Sequence, residues 1–214
     1  LMRRIASLTT LFALAVVAVP VVVAQAPSAP GAPDKSRVTA GTYAADPAHT
    51  MVVWRVDHLG FSNYTGIFGD VTGTLILDPA NPAAAKVDVT IPVSKVTTAS
   101  AGLTGHLLRA GKDGGKPDFF GPAPADARFV STAVVLDDDG TEAKVTGNLT
   151  LNGVTRPVTL DVEFHGAGMG MTKKETVGFE AETTIKRSDF GVLYGIPFVS
   201  DEVKLDIHAA FEKQ

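Results

Sequence analysis

Apolar and polar residues alternate along most of this chain from residue 41 to residue 214, and Gly, Pro and Asp separate the alternating runs. Successive side chains of a strand point to opposite faces, so alternation of this kind is typical of strands with one buried face. The predicted strands cover residues 51–58, 67–78, 85–96, 128–136, 143–151, 157–166, 176–186 and 202–212. An all-β fold of about eight strands follows.

Short connections rich in turn residues indicate that neighbouring strands are antiparallel. Asn152-Gly153 is the strongest hairpin signal, because both residue types tolerate a positive φ. A sheet of this size leaves no exposed edge if it closes on itself, and its interior holds side chains or one small ligand. We therefore predict an extended antiparallel barrel. A two-sheet sandwich is the alternative, since it has the same alternation.

Residues 97–127 lose the alternation. Within them, Ala101-Gly-Leu-Thr-Gly-His-Leu-Leu-Arg109 predicts a short helical excursion near residues 100–110. A long excursion in a chain of hairpins is often functional, as a lid or a mouth loop. The alternative is a crossover that only caps one end of the barrel.

The first residues have the layout of a secretory signal peptide, which we expect to span residues 1–24. Arg3 and Arg4 precede an apolar run, and cleavage is expected after Ala24. A transmembrane anchor is the alternative, but the run is short of the roughly 20 residues that cross a bilayer, and Pro20 interrupts it. Residues 25–40 are Pro/Ala-rich and predict a flexible, unpacked linker, followed by one domain at 41–214. A periplasmic or secreted location is expected.

Composition excludes several function classes. The chain has a net charge of −4 and no basic stripe, which argues against binding to nucleic acid. It has no cysteine, so disulfides, thiol chemistry and a lipoprotein anchor at the cleavage site are excluded. Its five histidines lack the spacing of a zinc helix, and no Gly-x-Ser-x-Gly motif occurs. The sequence predicts no catalytic residue, no metal and no cofactor.

Two polar groups stand out. His58 has the same strand parity as Trp54, so on an inward face it would reach the head group of a ligand; the alternative is a histidine that meets solvent at the strand end. Arg187 and Asp189 flank a predicted turn, and we favour a structural ion pair there over contact with a head group.

Four segments together resemble the YceI-like family. They are Tyr43-Ala-Ala-Asp46-Pro47-Ala-His49-Thr50 with Trp54-x-Val56-x-His58-Leu59-Gly60-Phe61-Ser62; Gly66-x-Phe68-x-x-Val71-x-Gly73-x-Leu75; the hairpin from Gly147 to Val158; and Ile185-Lys186-Arg187-Ser188-Asp189-Phe190-Gly191. His106-Leu107 and Asp118-Phe119-Phe120 are similar to a fifth segment, although residues 109–117 look like an insertion within it.

The resemblance implies a lipocalin-like barrel that is exported and holds a long isoprenoid chain, such as a polyprenyl lipid or a quinone tail, without catalysis. An isoprenoid has almost no hydrogen-bonding groups, so its receptor needs an apolar tube. The predicted ligand contacts are Trp54, Val56, His58, Phe61, Phe68, Leu103, Leu107, Leu108, Phe119, Phe120, Phe129, Leu149, Phe190 and Tyr194.

Beyond the apolar lipid, we expect transient contact with a membrane and leave a homodimer open. Two rival functions remain. An enzyme acting on an apolar substrate would need a polar cluster in the same cavity, around His58 and His106. A structural or interaction module would instead have a packed interior and an exposed apolar patch.

Overall fold

The computed structural model describes residues 28–214, so the predicted signal peptide at 1–24 lies outside the described residues. Eleven strands and one α-helix are present in this part of the chain. They are β1 Gly41–Ala45, β2 Met51–His58, β3 Ser62–Phe68, β4 Thr72–Leu77, β5 Lys86–Ile91, β6 Val96–Thr98, α1 Ala101–Leu107, β7 Ala127–Leu136, β8 Glu142–Leu151, β9 Val154–Met169, β10 Glu175–Lys186 and β11 Glu202–Lys213. The short helix near residues 100–110 is confirmed.

The sheet closes into an antiparallel barrel of eight strands. Their order is β1-β4-β5-β7-β8-β9-β10-β11, and β11 pairs back with β1 through Tyr43–Lys213 and Ala45–Phe211. Strands β2, β3 and β6 continue the sheet from β11 at one end of the barrel. The predicted all-β barrel is therefore confirmed, and the sandwich alternative is wrong.

Strand boundaries differ from the prediction where the backbone leaves the extended conformation. The run predicted at 67–78 contains β4 but only the last two residues of β3, because the backbone turns at Asp70, where φ is 55°. Residues 62–66 of β3 were not predicted. The run at 85–96 ends as β5 at Ile91, before a 3₁₀ turn at Val93–Lys95 that follows Pro92. Strands β1 and β6 were not predicted, because they are short and carry little alternation of their own.

Strands β1 and β2 both lie along β11, with residues 46–50 looped out between them. Thr50 bridges this interruption, since its hydroxyl donates to the carbonyl of Ala210 (3.0 Å) and accepts from the Ala210 N–H (3.2 Å). Side-chain hydrogen bonds thus replace the missing backbone pair, so the wall stays closed at this point.

The hairpin predicted at Asn152-Gly153 is confirmed. Leu151 pairs with Val154, and the two turn residues have φ values of 52° and 75°. This is the two-residue turn whose twist matches that of the flanking strands.

The buried apolar residues form three separate clusters. One contains Tyr43, Leu75, Val177 and Phe211; a second Val56, Ile185, Phe190 and Val203; and a third Val71, Ile91, Val93 and Ala127. Close-packed domains usually contain one contiguous core. Three clusters indicate that the inward side chains do not all meet in the middle of the barrel.

The segment at residues 28–40 differs from the unpacked linker that the sequence predicts. Ala32 forms a two-hydrogen-bond bridge with Ala167 of β9, at 3.1 and 2.9 Å. A 3₁₀ turn follows at Lys35–Arg37, and Val38 packs against the cluster of Tyr43. The composition suggested a free chain, but backbone pairing and one apolar contact attach the segment to the barrel. Within residues 28–214, no helix combines the length and apolarity needed to cross a membrane.

Candidate functional site

A cavity of about 620 Å³ lies inside the barrel. Its wall follows the predicted alternation, as β11 illustrates with Val203, Leu205, Ile207, Ala209 and Phe211. These residues span about 26 Å along the strand at roughly 3.3 Å per residue. A strand tilt of about 40° reduces this to roughly 20 Å along the barrel axis. The cavity is therefore an elongated tube.

The two ends of the tube differ. At one end, the α1 end, the wall is formed by α1, the end of β2 and the segment at 192–199. At the opposite end it is formed by Lys35, Val38, Pro79, Pro82 and the β7–β8 connection. The charged and histidine side chains of the wall stand only at these ends. They are His58, His106 and Arg187 at the α1 end, and Lys35 and Glu142 at the other.

Most of the predicted ligand contacts lie on this wall. Eleven of the fourteen line the cavity: Trp54, Val56, His58, Phe68, Leu103, Leu107, Phe119, Phe120, Phe129, Leu149 and Tyr194. His58 and Trp54, which share one strand parity, both line the cavity, together with Val52 and Val56 of the same strand. His58 stands at the strand end, where it is exposed and its backbone bridges to Val199, so it lies at the opening rather than deep in the tube. Contact between these side chains and a ligand stays a prediction.

Three of the predicted contacts do not line the cavity. Phe61 lies in the β2–β3 turn, where its side chain is 88% exposed to solvent. Leu108 is the residue after the last turn of α1, where the helical face that reaches the cavity has ended. Phe190 is 1% exposed and packs among Val56, Ile185 and Val203, so it belongs to the barrel core. In loops, sequence periodicity does not determine the direction of a side chain.

The prediction also missed wall residues that share the parity of the named ones. They include Val52, Leu75, Val87, Val89, Leu160, Val162, Phe164, Phe179, Ala181, Leu205, Ile207 and Phe211. The alternation of apolar and polar residues along each strand was sufficient to predict these wall residues. No signal in the sequence could have found Lys35, Val192 or Val199, because they lie outside the alternating runs.

Trp54 combines an apolar wall position with a polar atom that has no partner. Its indole Nε1 is buried and is the one such side-chain nitrogen or oxygen that lacks a hydrogen bond among the described residues. The cavity is wide enough for water, so the Nε1 atom would be accessible if it faced the cavity. Trp54 therefore presents its apolar ring face to the tube, while its N–H is covered by protein.

An aromatic cluster lies at the α1 end. The ring of His106 contacts those of Phe119 and Tyr194 edge to face, with centroids 5.2 Å apart in both pairs. His106 Nε2 is 2.7 Å from Asp118 Oδ2, and Arg109 donates to the same oxygen at 2.8 Å. The hydrogen bond from Arg109, followed by that from His106, lowers the pKa of Asp118. The excursion after β6 is thus fixed against the opening of the tube.

Arg187 organises the neighbouring segment through carbonyl groups. Its guanidinium donates to the carbonyls of Val192, Tyr194, Val199 and Ser200 at 2.8–3.0 Å. The predicted ion pair with Asp189 is not formed, because Asp189 is exposed and the guanidinium lies inside the loop. Burial lowers the pKa of Arg187, and the charge of Asp201 opposes that effect.

Asp201 fixes the other side of the same turn. Its carboxylate accepts from the Ser188 N–H at 2.8 Å and from the Ser188 hydroxyl at 2.7 Å. Burial acts to raise the pKa of Asp201, but the bonds from Ser188 and the charge of Arg187 outweigh it, and the net pKa is lowered. Arg187 and Asp201 together make the loop at 187–201 a built part of the α1 end.

Residues 28–214 contain no group of three or more His, Cys, Asp or Glu side chains that is arranged to hold a metal ion. The cavity wall is that of an apolar tube with histidine and charged side chains at its two ends.

Several known bacterial proteins are similar to this chain in sequence or in fold. Protein YceI of Escherichia coli O157:H7 is 42% identical over 160 residues, which is 74% of this chain and 79% of that protein. The crystal structure of BcnA from Burkholderia cenocepacia has a TM-score of 0.64 at 28% identity, covering 78% of this chain and 98% of that one.

A polyisoprenoid binding domain from Saccharophagus degradans, implicated in plant cell wall breakdown, shares the fold with a TM-score of 0.55. It is 14% identical, and the match covers 82% of this chain and all of that one. The YceI-like domain matches residues 43–211, from the first barrel strand to the last. This chain therefore belongs to the YceI-like domain family.

Proposed function

We propose that this protein binds a long isoprenoid lipid, such as a polyprenyl lipid or a quinone tail, inside the barrel for sequestration, transport or storage. The observation that carries the proposal is the elongated apolar cavity of about 620 Å³. Small-molecule sites commonly measure about 300–1,000 Å³ and are lined mainly by apolar side chains with a few polar groups.

The distribution of polar groups supports an apolar chain with one polar end. Between the two ends, the wall is formed by aliphatic and aromatic side chains with a few threonines. Transfer of each methylene into such a tube stabilises the complex by about 0.8 kcal/mol. Much of this is offset by the lost freedom of the chain and of the complex. Retention then depends on shape and apolarity, so we expect broad selectivity for tail length.

The relatives support the same function. The Saccharophagus degradans domain is named for polyisoprenoid binding, so a barrel of this fold is suited to such a chain. We infer binding rather than catalysis, because the polar side chains that share the α1 end are exposed or already engaged: His58 is exposed at the strand end, and Arg187 donates to four carbonyls. Of these groups, His106 is already held by Asp118 and two aromatic rings. The layout of residues 1–24 supports export to the periplasm or the medium.

Lipid analysis of the purified protein tests the proposal. The chain is expressed in a bacterial host and purified without detergent, and bound lipids are extracted and identified by mass spectrometry. Trp54 is the single tryptophan and lies on the cavity wall, so its emission provides a second measurement. We expect a co-purifying isoprenoid, and a saturable change in emission when stripped protein is titrated with geranylgeraniol. Absence of both results would contradict the proposal.

A further inference from the structure

Large apolar side chains are concentrated on the surface around the opening at the α1 end. Leu59, Phe61, Leu193, Tyr194 and Phe198 are all exposed, from 46% for Leu59 to 88% for Phe61. They account for half of the large apolar residues that are exposed in the described chain. We call these five residues the apolar rim.

The rim is formed by two loops that are bonded together. The Leu59 N–H donates to the carbonyl of Phe198 at 2.8 Å, and His58 forms a β-bridge with Val199. The second loop is held by the four carbonyl bonds from Arg187, including those to Val199 and Tyr194. The apolar side chains therefore stand on fixed backbone, and their exposure is not a consequence of a loose segment.

The rim is continuous with the cavity. Tyr194 belongs to both, since it is 48% exposed and also lines the tube. Its ring contacts His106 and Phe119, which line the tube as well, with centroids 5.2 and 5.3 Å apart. A ligand that leaves by this end passes directly onto an apolar surface.

An exposed apolar patch on a soluble domain usually marks an interaction site. Phe, Leu and Tyr side chains that project from a fixed loop are suited to the boundary between headgroups and acyl chains. The adjoining segment at 109–118 carries three basic and two acidic residues, and Arg109 is paired with Asp118. Lys112 and Lys116 are exposed and complement anionic headgroups.

We propose that the apolar rim docks on the surface of a lipid bilayer, so that an isoprenoid passes between the membrane and the cavity without crossing water. This inference rests on the proposed function. An isoprenoid resides in membranes, so a protein that binds it needs its opening to contact a membrane. A protein partner on the same surface is the competing occupant, which the experiment separates.

The test is flotation of the full chain with vesicles of phosphatidylcholine and phosphatidylglycerol. The variant Phe61→Ser/Phe198→Ser removes the two most exposed rim side chains, neither of which lines the cavity. The matched control, Ile76→Ser/Val135→Ser, removes exposed apolar side chains from β4 and β7, away from the rim. Loss of two inserted aromatic side chains is expected to lower the vesicle-bound fraction by about tenfold or more.

We expect the unchanged chain and the control to float, and the rim variant to stay in solution and to transfer ligand to acceptor vesicles more slowly. The affinity for geranylgeraniol, measured by titration of Trp54 emission, is expected to be equal for all three proteins. This titration tests the proposed function independently of flotation. If the unchanged chain does not float, or if the rim variant floats equally well, membrane docking is overturned, whatever the titration gives.

Discussion

The indole ring of Trp54 lies directly across Gly66 of the neighbouring strand, where a β-carbon would stand 2.2 Å from its Cζ2 atom. The two residues are register partners between β2 and β3, so both face the interior. Phe129 also lies over a glycine of the neighbouring strand: Gly147 is two residues from its register partner Leu149, and a β-carbon at Gly147 would stand 2.4 Å from the Phe129 Cζ atom. A glycine beneath each aromatic ring lets it lie flat against the wall and leaves the tube open.

Gly66→Ala is therefore expected to push the Trp54 ring into the cavity. Overpacking of this kind costs about 1–3 kcal/mol of unfolding free energy. Urea denaturation measures this loss, and titration of Trp54 emission measures the expected fall in affinity for geranylgeraniol. Gly69→Ala is the control, since a β-carbon at Gly69 meets nothing within 4 Å. Equal stability and affinity of the two variants would contradict the stacking argument.

Ala181→Phe should fill the tube without disturbing the barrel. Ala181 is 8% exposed and lies on the cavity wall in β10, so a phenyl ring there projects into open space. We expect the co-purifying lipid to decrease strongly in extracts analysed by mass spectrometry, while the midpoint of thermal unfolding stays the same or rises. Ala133→Phe adds the same ring at an exposed position of β7 and should leave the lipid content unchanged. A full lipid load in Ala181→Phe would place the ligand elsewhere.

Arg187→Lys is expected to destabilise the loop at 192–200. A lysine ammonium cannot span the four carbonyls that the planar guanidinium reaches, and unsatisfied buried carbonyls remain. The cost should be about 3 kcal/mol of unfolding free energy, measured by urea denaturation. Hydrogen exchange should also accelerate at Val192 and Val199 in particular. Arg156→Lys is the matched control, because Arg156 is exposed and bonds only the adjacent Thr155 carbonyl. If Arg156→Lys lowered the unfolding free energy by a similar amount, the loss in Arg187→Lys could not be attributed to its four carbonyl bonds.

The pair Ser188–Asp201 predicts a dependence of stability on pH. The pKa of Asp201 is lowered from 3.8 in the folded state, so its contribution is complete above that value and is lost as pH falls through the folded pKa. Ser188→Ala removes the hydroxyl bond and should cost about 1 kcal/mol near neutral pH. The difference from the unchanged chain should shrink as the pH falls below 3.8 and the carboxyl is protonated. Urea midpoints across this range provide the measurement, with Ser94→Ala as an exposed control. A difference that stays constant with pH would show that the bond does not depend on the charge of Asp201.

Much of the barrel could be predicted from the local alternation of apolar and polar residues. Alternation located the strands around β7 to β11, and Asn152-Gly153 located a hairpin whose geometry is decided by two residues. Trp54 and Phe129, which were predicted as ligand contacts, lie on the inner face. Residues in loops were less predictable. Phe61 turned outward and Phe190 entered the core, because their directions depend on partners far away in the sequence.

What the sequence by itself determined was the alternation of faces along the predicted strands, the antiparallel direction of neighbouring strands and the family. Only the tertiary structure decided that the inner faces leave a tube instead of interdigitating, that residues 32–38 attach beside one end, and that Arg187 serves four carbonyls and not Asp189. The physical reason is that alternation specifies direction alone. The number of strands that close the barrel and their tilt set its radius, and these depend on pairings between distant segments such as β1 and β11.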